Sequence, residues 1–570
     1  MDWKTFLQKP GQAVVGRVKS WLNNPVGRLP VSCTVRAVEG EDDYDDVFNS
    51  WIFTSKALRF GAGCAINLER YYRQPFGGLG ELTFRLNEKH PEYTEMQQFL
   101  SINPEFNKDI DFKVIVVDDS METIDPAVPG IEESWKQVAW SLYLGEHIAI
   151  DLSRLRPKGT VNSQGLVASG PVSFASIYVE IARFIWEPTL TRLCSVYSKI
   201  NEVLRRGGTY RNGAITLFVD YQHPEAEAYL RMPRTQIEWA KRALVVDEGL
   251  LQHELLPLVM KSMAEGDLFL AKKRFDKHGQ RLYSQVCMEI FLKSTDTCTL
   301  HHINLGELNM DQIPQAFEAG MTFLCELHRN SNVESLEVYL PASESKQVGL
   351  GVIGLANFLA IHGISYKSFV YAFEAVLDFV NSVWESDNFL EFLQNLTKAI
   401  ELYESALRAV LYILQGYFRA AKIAKSYGME RAFTIAPTAT SSFQYRDSQG
   451  YCTTPNIAPP IARNVLRDSQ EFGLIEADYH PNCETAAEVG FDIYFRLACC
   501  FQRAMNLTGL AHAISFDIWD QQPINESFII RWLKSPLWTT YYRTQTMGLD
   551  VTDKTRILCE SKSECETCGG

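Results

Sequence analysis

The 570-residue sequence has no uninterrupted apolar run near the ~18 residues that a bilayer-crossing helix needs, so no membrane span is expected. Its first residues, MDWKTFLQKPGQ, lack the apolar stretch behind a basic head that marks a secretory signal. Positive charge is in the minority: Lys and Arg number 55 against 69 Asp and Glu, a net charge of −14. That balance argues against a nucleic-acid polymer as partner, because backbone binding needs a basic face. Local arginines, lysines and backbone amides can still hold a nucleotide. Cysteine is too sparse for a disulfide scaffold, 13 in all, and the odd count forbids complete pairing within the chain. Internal repeats and low-complexity blocks are absent. These absences leave a soluble protein of a reducing compartment, with some cysteines free for chemistry. With 46% hydrophobic residues it reads as globular, and its length suits two to four domains or one large α/β barrel.

Along the chain, residues 1–30 are short, polar and punctuated by Pro and Gly. VSCTVRAV (31–38) reads as a strand, and the acidic run Glu39–Asp46 leads into a helix over Asp45–Phe60. FGAGCAINL (60–68) reads as a glycine turn feeding a buried strand. Residues 71–146 differ in texture, with QPFGGLG, a β-rich DFKVIVVDD and a helix over Glu132–Tyr143, and read as an insert. From Ile148 onward strands and helices alternate: HIAIDLSRL, SFASIYVEIARFIW, GAITLFVDY, then a helical 224–231. Such alternation favours an α/β barrel or a doubly wound sheet. Residues 349–425 read as strongly helical and 551–570 as a mobile polar tail.

Several short motifs can carry chemistry, each with a plainer reading beside it. In YSQVCMEIF (283–291) an extended backbone would point Gln285, Cys287 and Glu289 the same way. A thiol beside a carboxylate suits nucleophile–base or radical–base work; a buried core cysteine with a solvated Glu is the commoner case. Cys298 in TCTLHHINLGEL and Cys33 in VSCTV are two further strand cysteines. The tail ECETCGG holds Cys565 and Cys568 as C-x-x-C, with Cys559 nearby and no His. A structural zinc needs four ligands, so a redox dithiol fits better. APTATSS (436–442) suits a loop opening a helix, whose free amides meet a phosphate or simply a cap. RRGGTYRNGAITLF (205–218) offers glycines and arginines for a phosphate or base, or a plain turn. PLWTTYYRTQ carries adjacent Tyr541 and Tyr542.

In this order and spacing the motifs resemble the catalytic subunit of ribonucleotide reductase over residues 30–570. The SC strand, the loop cysteine with Glu two residues on, CTLHHINLG, GLGVIGLANFLA, PTATSS and the cysteine-pair tail fall in family order. The resemblance implies a ten-stranded α/β barrel over 31–550, two five-stranded half-barrels with a finger loop inside. It implies that Cys287 becomes a thiyl radical that takes the ribose 3′ hydrogen, with Glu289 as general base for the 3′ hydroxyl. Cys33 and Cys298 would be the reducing pair, turned to a disulfide as the 2′ hydroxyl leaves as water. Cys565 and Cys568 would re-reduce that pair and be recharged by thioredoxin or glutaredoxin. Ser32 and Pro437, Thr438, Ala439, Thr440, Ser441 and Ser442 would hold the substrate phosphates. Gly207, Gly208, Arg211, Asn212 and Gly213 would form the specificity loop between effector nucleotide and substrate base. Glu41 and Asp42 fall where the family places effector contacts, or in a solvated turn. One residue departs from the pattern: Gln285 stands where the family has Asn, longer by one methylene.

The radical source divides the resemblance. Tyr541 and Tyr542 resemble the stacked relay of class I enzymes, which take the radical from a ferritin-like metal subunit. Residues 147–174 and the insert before them resemble monomeric class II enzymes, which use adenosylcobalamin. The tyrosine pair weighs more, so the expectation is a compact, phage-type class I chain with no tightly bound cofactor and no metal of its own. Only 32 residues precede Cys33, too few for an ATP-cone; specificity control by dNTP or ATP should persist. Monomer and effector-driven homodimer, and diphosphate and triphosphate substrate, stand open. The expected setting is the cytoplasm of a bacterium or of a phage-infected host. A non-catalytic nucleotide-binding or redox-transfer protein is the reading from another class, suggested only by Gln285.

Overall fold

The computed structural model describes residues 3–6, 8–23, 29–39, 44–72, 80–108, 113–125, 127–161, 167–204, 213–383, 404–469, 473–544 and 555–558. The chain is α/β and divides into two compact units, Arg36–Arg242 and the remainder, Met1–Val35 with Ala243–Gly570.

In the unit Arg36–Arg242, strands Gly63–Asn67 and Ile215–Asp220 pair in parallel and every residue of both is buried. Their near-continuous apolar runs are what a parallel strand covered on both faces requires. A second sheet is also parallel, with Ile148–Asp151 at its centre between Leu82–Arg85 and Lys113–Val116. The centre strand lies just past the insert expected at 71–146. The expected helix near 45–60 is Tyr44–Arg59, and Ile131–Tyr143 and Pro171–Trp186 form where their apolar periodicity places them. Gly213 opens the buried strand segment; a Cβ there would lie 2.1 Å from Leu58 Cδ2, so only glycine fits. Glu41, Asp42, Gly207, Gly208, Arg211 and Asn212 lie outside the described residues.

The other unit is built on a five-stranded sheet. Leu300–Asn304, Gln347–Ile353, Arg431–Ile435 and Ala511–Ile514 run parallel in that order, and Gln12–Ala13 adds antiparallel at the Leu300–Asn304 edge. Helices Ile313–Arg329, Ser405–Ser426 and Phe491–Leu507 lie between these strands in sequence, as parallel pairing demands a long crossover each time. The stretch expected as helical from 349 therefore begins as a strand. Its glycines and β-branched residues are wholly buried, and helix starts only at Leu355, after Gly354 takes a left-handed φ of 72°. Cys33–Ala37, shorter than the expected strand over 31–38, pairs antiparallel with Thr297–Cys298.

The tail differs from expectation as well. Thr555–Leu558 pairs in parallel with Val465–Asp468 of the hairpin strand Asn464–Ser469. TRIL offers a short β-forming run to an open strand edge, so this part of 551–570 is tied to the sheet rather than free. Cys559, Cys565 and Cys568 lie outside the described residues.

Candidate active site

Strand Arg281–Ser284 turns back antiparallel onto Phe291–Leu292, with Ser284 opposite Phe291. The six residues between form a loop, not the extended run expected for 283–291. Gln285 N–H donates to the Ile290 carbonyl at 3.0 Å, and Met288 N–H to the Gln285 carbonyl at 3.1 Å. Met288 accordingly takes a φ of 71°, strained for a residue with a side chain. Gln285 Oε1 accepts from the Cys287 N–H at 2.6 Å, a side-chain bond that lets a tight turn replace the strand ladder. Gln285, Cys287 and Glu289 are all fully buried. They share a site because they share a hairpin tip, not because of a period of two.

The tip is bolted to the five-stranded sheet. Ser515 Oγ donates to the Cys287 carbonyl at 2.6 Å. The Glu289 carbonyl accepts from the Ala513 N–H at 2.9 Å and from Thr434 Oγ1 at 2.8 Å. Phe291 N–H donates to His512 Nδ1 at 3.3 Å, and burial holds His512 well below the usual histidine range, keeping that nitrogen an acceptor. Thr434, His512 and Ser515 had no part in the expected site. A polar residue inside an otherwise apolar strand, as in RAFTI and AHAI, was the available signal.

Cys33 and Cys298 face one another directly across their antiparallel pair. Opposed residues project to the same side of a sheet. Both are buried thiols. Burial first, then the Glu289 carboxylate and the neighbouring Cys33, push the Cys298 thiol far up. It therefore keeps its proton at neutral pH, and Glu289 is close enough to Cys298 to act on it electrostatically. The strand is locked beside them by Thr34 Oγ1, which donates to the Asp296 carbonyl at 2.7 Å. Asp296 itself is buried and raised to about 6 by desolvation. Ser32, one residue before the strand, is buried, and its Oγ has no hydrogen-bond partner among the described residues.

The 437–442 loop follows strand Arg431–Ile435 directly. It opens on Thr438, whose φ of 51° is left-handed, and continues as one helical turn, Ala439–Ser442, rather than a long helix. Thr438 Oγ1 accepts from the Asn456 N–H at 3.0 Å, and Asn456 Nδ2 donates to the Pro437 carbonyl at 3.2 Å. Ser441 and Ser442 turn their hydroxyls back to the Thr438 and Ala439 carbonyls. The side chain of Thr440 lies outside the described residues.

Tyr541 and Tyr542 touch, with ring centroids 4.1 Å apart. Their planes are tilted by 49° rather than stacked, because both rings also pack on Phe269, at 5.0 and 5.4 Å. Tyr541 is buried, and its N–H donates to the Phe516 carbonyl at 2.7 Å. Phe516 follows Ser515, so one short segment touches both the Cys287 loop and the tyrosine pair.

Known proteins resemble this arrangement. Residues 271–376, which hold the hairpin tip, Cys298 and two parallel strands, match the family described as ribonucleotide reductase, barrel domain. The vitamin B12-dependent ribonucleoside-diphosphate reductases of Mycobacterium tuberculosis strains CDC 1551 / Oshkosh and H37Rv are each 25% identical to the chain over 297 residues. That stretch is 45% of this chain and 39% and 38% of those proteins, so the match spans about two fifths of their length. The crystal structure of a B12-dependent (class II) ribonucleotide reductase covers 98% of this chain and 85% of its own. Its TM-score is 0.63 at 12% identity, which speaks to fold. Residues 271–376 are thus a ribonucleotide reductase barrel domain. Outside that segment the chain is similar to ribonucleotide reductases over the 297 matched residues and in fold.

Proposed function

We propose that the chain is the catalytic subunit of a ribonucleotide reductase, making 2′-deoxyribonucleotides from ribonucleotides. The observation that carries this reading is the buried Cys33–Cys298 pair beside Glu289, with Cys287 two residues away on the same tip. A thiyl radical at Cys287 takes the 3′ hydrogen of the ribose. Glu289 accepts the 3′-hydroxyl proton, and the 2′ hydroxyl leaves as water. Cys33 and Cys298 supply two electrons and two protons and close to a disulfide, and the 3′ carbon recovers its hydrogen from Cys287. The raised Cys298 thiol suits this task, since it arrives carrying the proton it must deliver. Gln285 uses its oxygen within the loop, which leaves Nε2, unpartnered among the described residues, for a substrate hydroxyl. The 437–442 loop and Ser32 are the phosphate contacts, Gly207–Gly213 the specificity loop, and Cys565 and Cys568 the shuttle to thioredoxin or glutaredoxin.

For the radical source, the Tyr541–Tyr542 contact and its link through Phe516 and Ser515 to Cys287 support delivery from a ferritin-like small subunit. On this reading the metal belongs to that subunit. The M. tuberculosis relatives favour a second reading, adenosylcobalamin. Adenosylcobalamin would need from this chain a buried thiol to act on, which Cys287 provides, and when bound it would supply the radical there. The test is ribonucleotide reduction by the purified chain with adenosylcobalamin, and separately with a metal-loaded small subunit. Turnover with cobalamin alone overturns the first assignment; turnover with neither overturns the reductase reading.

A further inference from the structure

On the five-stranded sheet, the His302 imidazole has no hydrogen-bond partner at either nitrogen among the described residues. Along Leu300–Asn304, His301 and Ile303 face the helix Ile313–Arg329. His301 lies 5.0 Å from the Phe323 ring, and Ile303 Cδ1 sits where a Cβ on Gly320 would come within 2.8 Å. Alternation puts Leu300, His302 and Asn304 on the opposite face. That face meets the reactive loop: a Cβ on Gly349 would lie 2.5 Å from Leu300 Cδ2 and 2.9 Å from Ile290 Cδ1. His302 follows Leu300 by two residues, about 6.6 Å further along the strand, toward the end from which the 437–442 loop leaves Arg431–Ile435, the next strand but one in the sheet.

Glycines on the neighbouring strand make room for the His302 ring. Opposite Leu300 and His302 on the parallel neighbour stand Gly349 and Gly351. Any side chain at 351 would press within 2.8 Å of His302 Nδ1. His302 is 1% exposed, yet neither Nδ1 nor Nε2 has a hydrogen-bond partner among the described residues. Its neighbours are each half-satisfied: His301 Nε2 meets Gln12 Oε1 at 2.8 Å and Asn304 Nδ2 donates to the Arg446 carbonyl at 2.9 Å, while His301 Nδ1 and Asn304 Oδ1 have no partner among the described residues. A fully buried imidazole with two idle nitrogens is costly to fold around, and a well-packed apolar side chain would serve the core better.

We propose that His302 is a substrate-contacting residue, its imidazole hydrogen-bonding a ribose hydroxyl of the nucleotide bound at the Cys287 loop. The inference rests on the reductase reading above. Burial lowers the ring's pKa to about 3, so it is neutral and offers one donor and one acceptor. A hydroxyl can answer either nitrogen, donating to the bare one or accepting from the N–H, whereas a phosphate oxygen can answer only the N–H.

The test is equilibrium binding of ribonucleoside di- and triphosphates to the full chain, as wild type, His302→Leu and His302→Gln, with melts of each unliganded protein. His302→Leu should weaken ribonucleotide binding at least tenfold without lowering the melting temperature. His302→Gln, which keeps a donor and an acceptor, should recover part of the loss. Of the 2′-deoxy and 3′-deoxy nucleotides, the one lacking the contacted hydroxyl should bind wild type and His302→Leu equally. Undiminished ribonucleotide binding by His302→Leu overturns the assignment and leaves the reductase reading intact. Should His302→Leu fail to fold, wild-type chain that binds both deoxy analogues as tightly as the ribonucleotide overturns it instead. Wild-type chain that binds no ribonucleotide overturns both.

Discussion

Cys33 and Cys298 should close to a disulfide on oxidation, and the size of the effect can be worked from the pairing. Directly opposed residues of an antiparallel pair have Cα atoms about 4.5–5.5 Å apart. That lies inside the ~4.4–6.8 Å window for a disulfide, so the bond can form without moving either strand. The bond would close a loop of roughly 265 residues, for which the chain-entropy relation predicts about 5.6 kcal/mol of added stability. One equivalent of diamide added to the reduced chain with Cys565 and Cys568 replaced by Ser should remove two thiols and yield a single Cys33–Cys298 cross-linked peptide. Unfolding in denaturant without reductant should then shift up by up to that amount, and Cys33→Ser should show no shift. Under turnover conditions the same cross-link should appear once per nucleotide reduced when Cys565 and Cys568 are replaced by Ser. A cross-link between any other cysteines, or no gain in unfolding free energy, refutes the facing-dithiol geometry.

Thr434→Val deletes the hydroxyl that holds the Glu289 and Ala513 carbonyls, at 2.8 and 3.0 Å. It should cost about 1–3 kcal/mol in denaturant unfolding and reduce turnover at least tenfold while leaving thiol content unchanged. Asp296 supplies a pH test. Desolvation keeps it protonated to about pH 6 in the fold, against its ordinary 3.8. Between those values the folded chain binds the extra proton, so its contribution to stability falls as pH rises from about 4 to 6, by up to ~3 kcal/mol. The stability difference between wild type and Asp296→Asn, measured at pH 4 and pH 7.5, should change by that amount in the variant's favour. An equal difference at both pH values defeats the argument. Tyr541→Phe removes the oxidisable hydroxyl while keeping the ring against Phe269. It should abolish turnover driven by a small subunit and leave the melting temperature within about 2 °C; retained turnover removes the relay.

The parts of this molecule that a linear reading captured are those with a local physical cause. Ile215–Asp220 and Gly63–Asn67 read as buried strands because a run of apolar residues has few other places to go. The helices Tyr44–Arg59 and Pro171–Trp186 follow from a 3.6-residue period and a proline at the first turn. The candidate site was legible in its residue types, and the family resemblance supplied their order. Its geometry was not. YSQVCMEIF has the alternation of a strand, and Gln285 folding back on the Cys287 N–H is what makes it a turn instead. Gln347–Ile353 was lost among helices because glycines at 349 and 351 weaken any local strand signal, and their value lies wholly in the neighbours they admit.

By itself the amino-acid order determined which segments are apolar, where chain direction changes, and which thiols and carboxylates exist to do chemistry. Only the tertiary structure decided that Cys33 faces Cys298 across more than 260 intervening residues, and that Ser515 and Thr434 clamp the Cys287–Glu289 tip. It alone left His302 buried with neither ring nitrogen partnered among the described residues. The reason is that helical and strand periods are properties of neighbours along the chain. Register, burial and the pairing of polar atoms are set by which distant strands share a sheet.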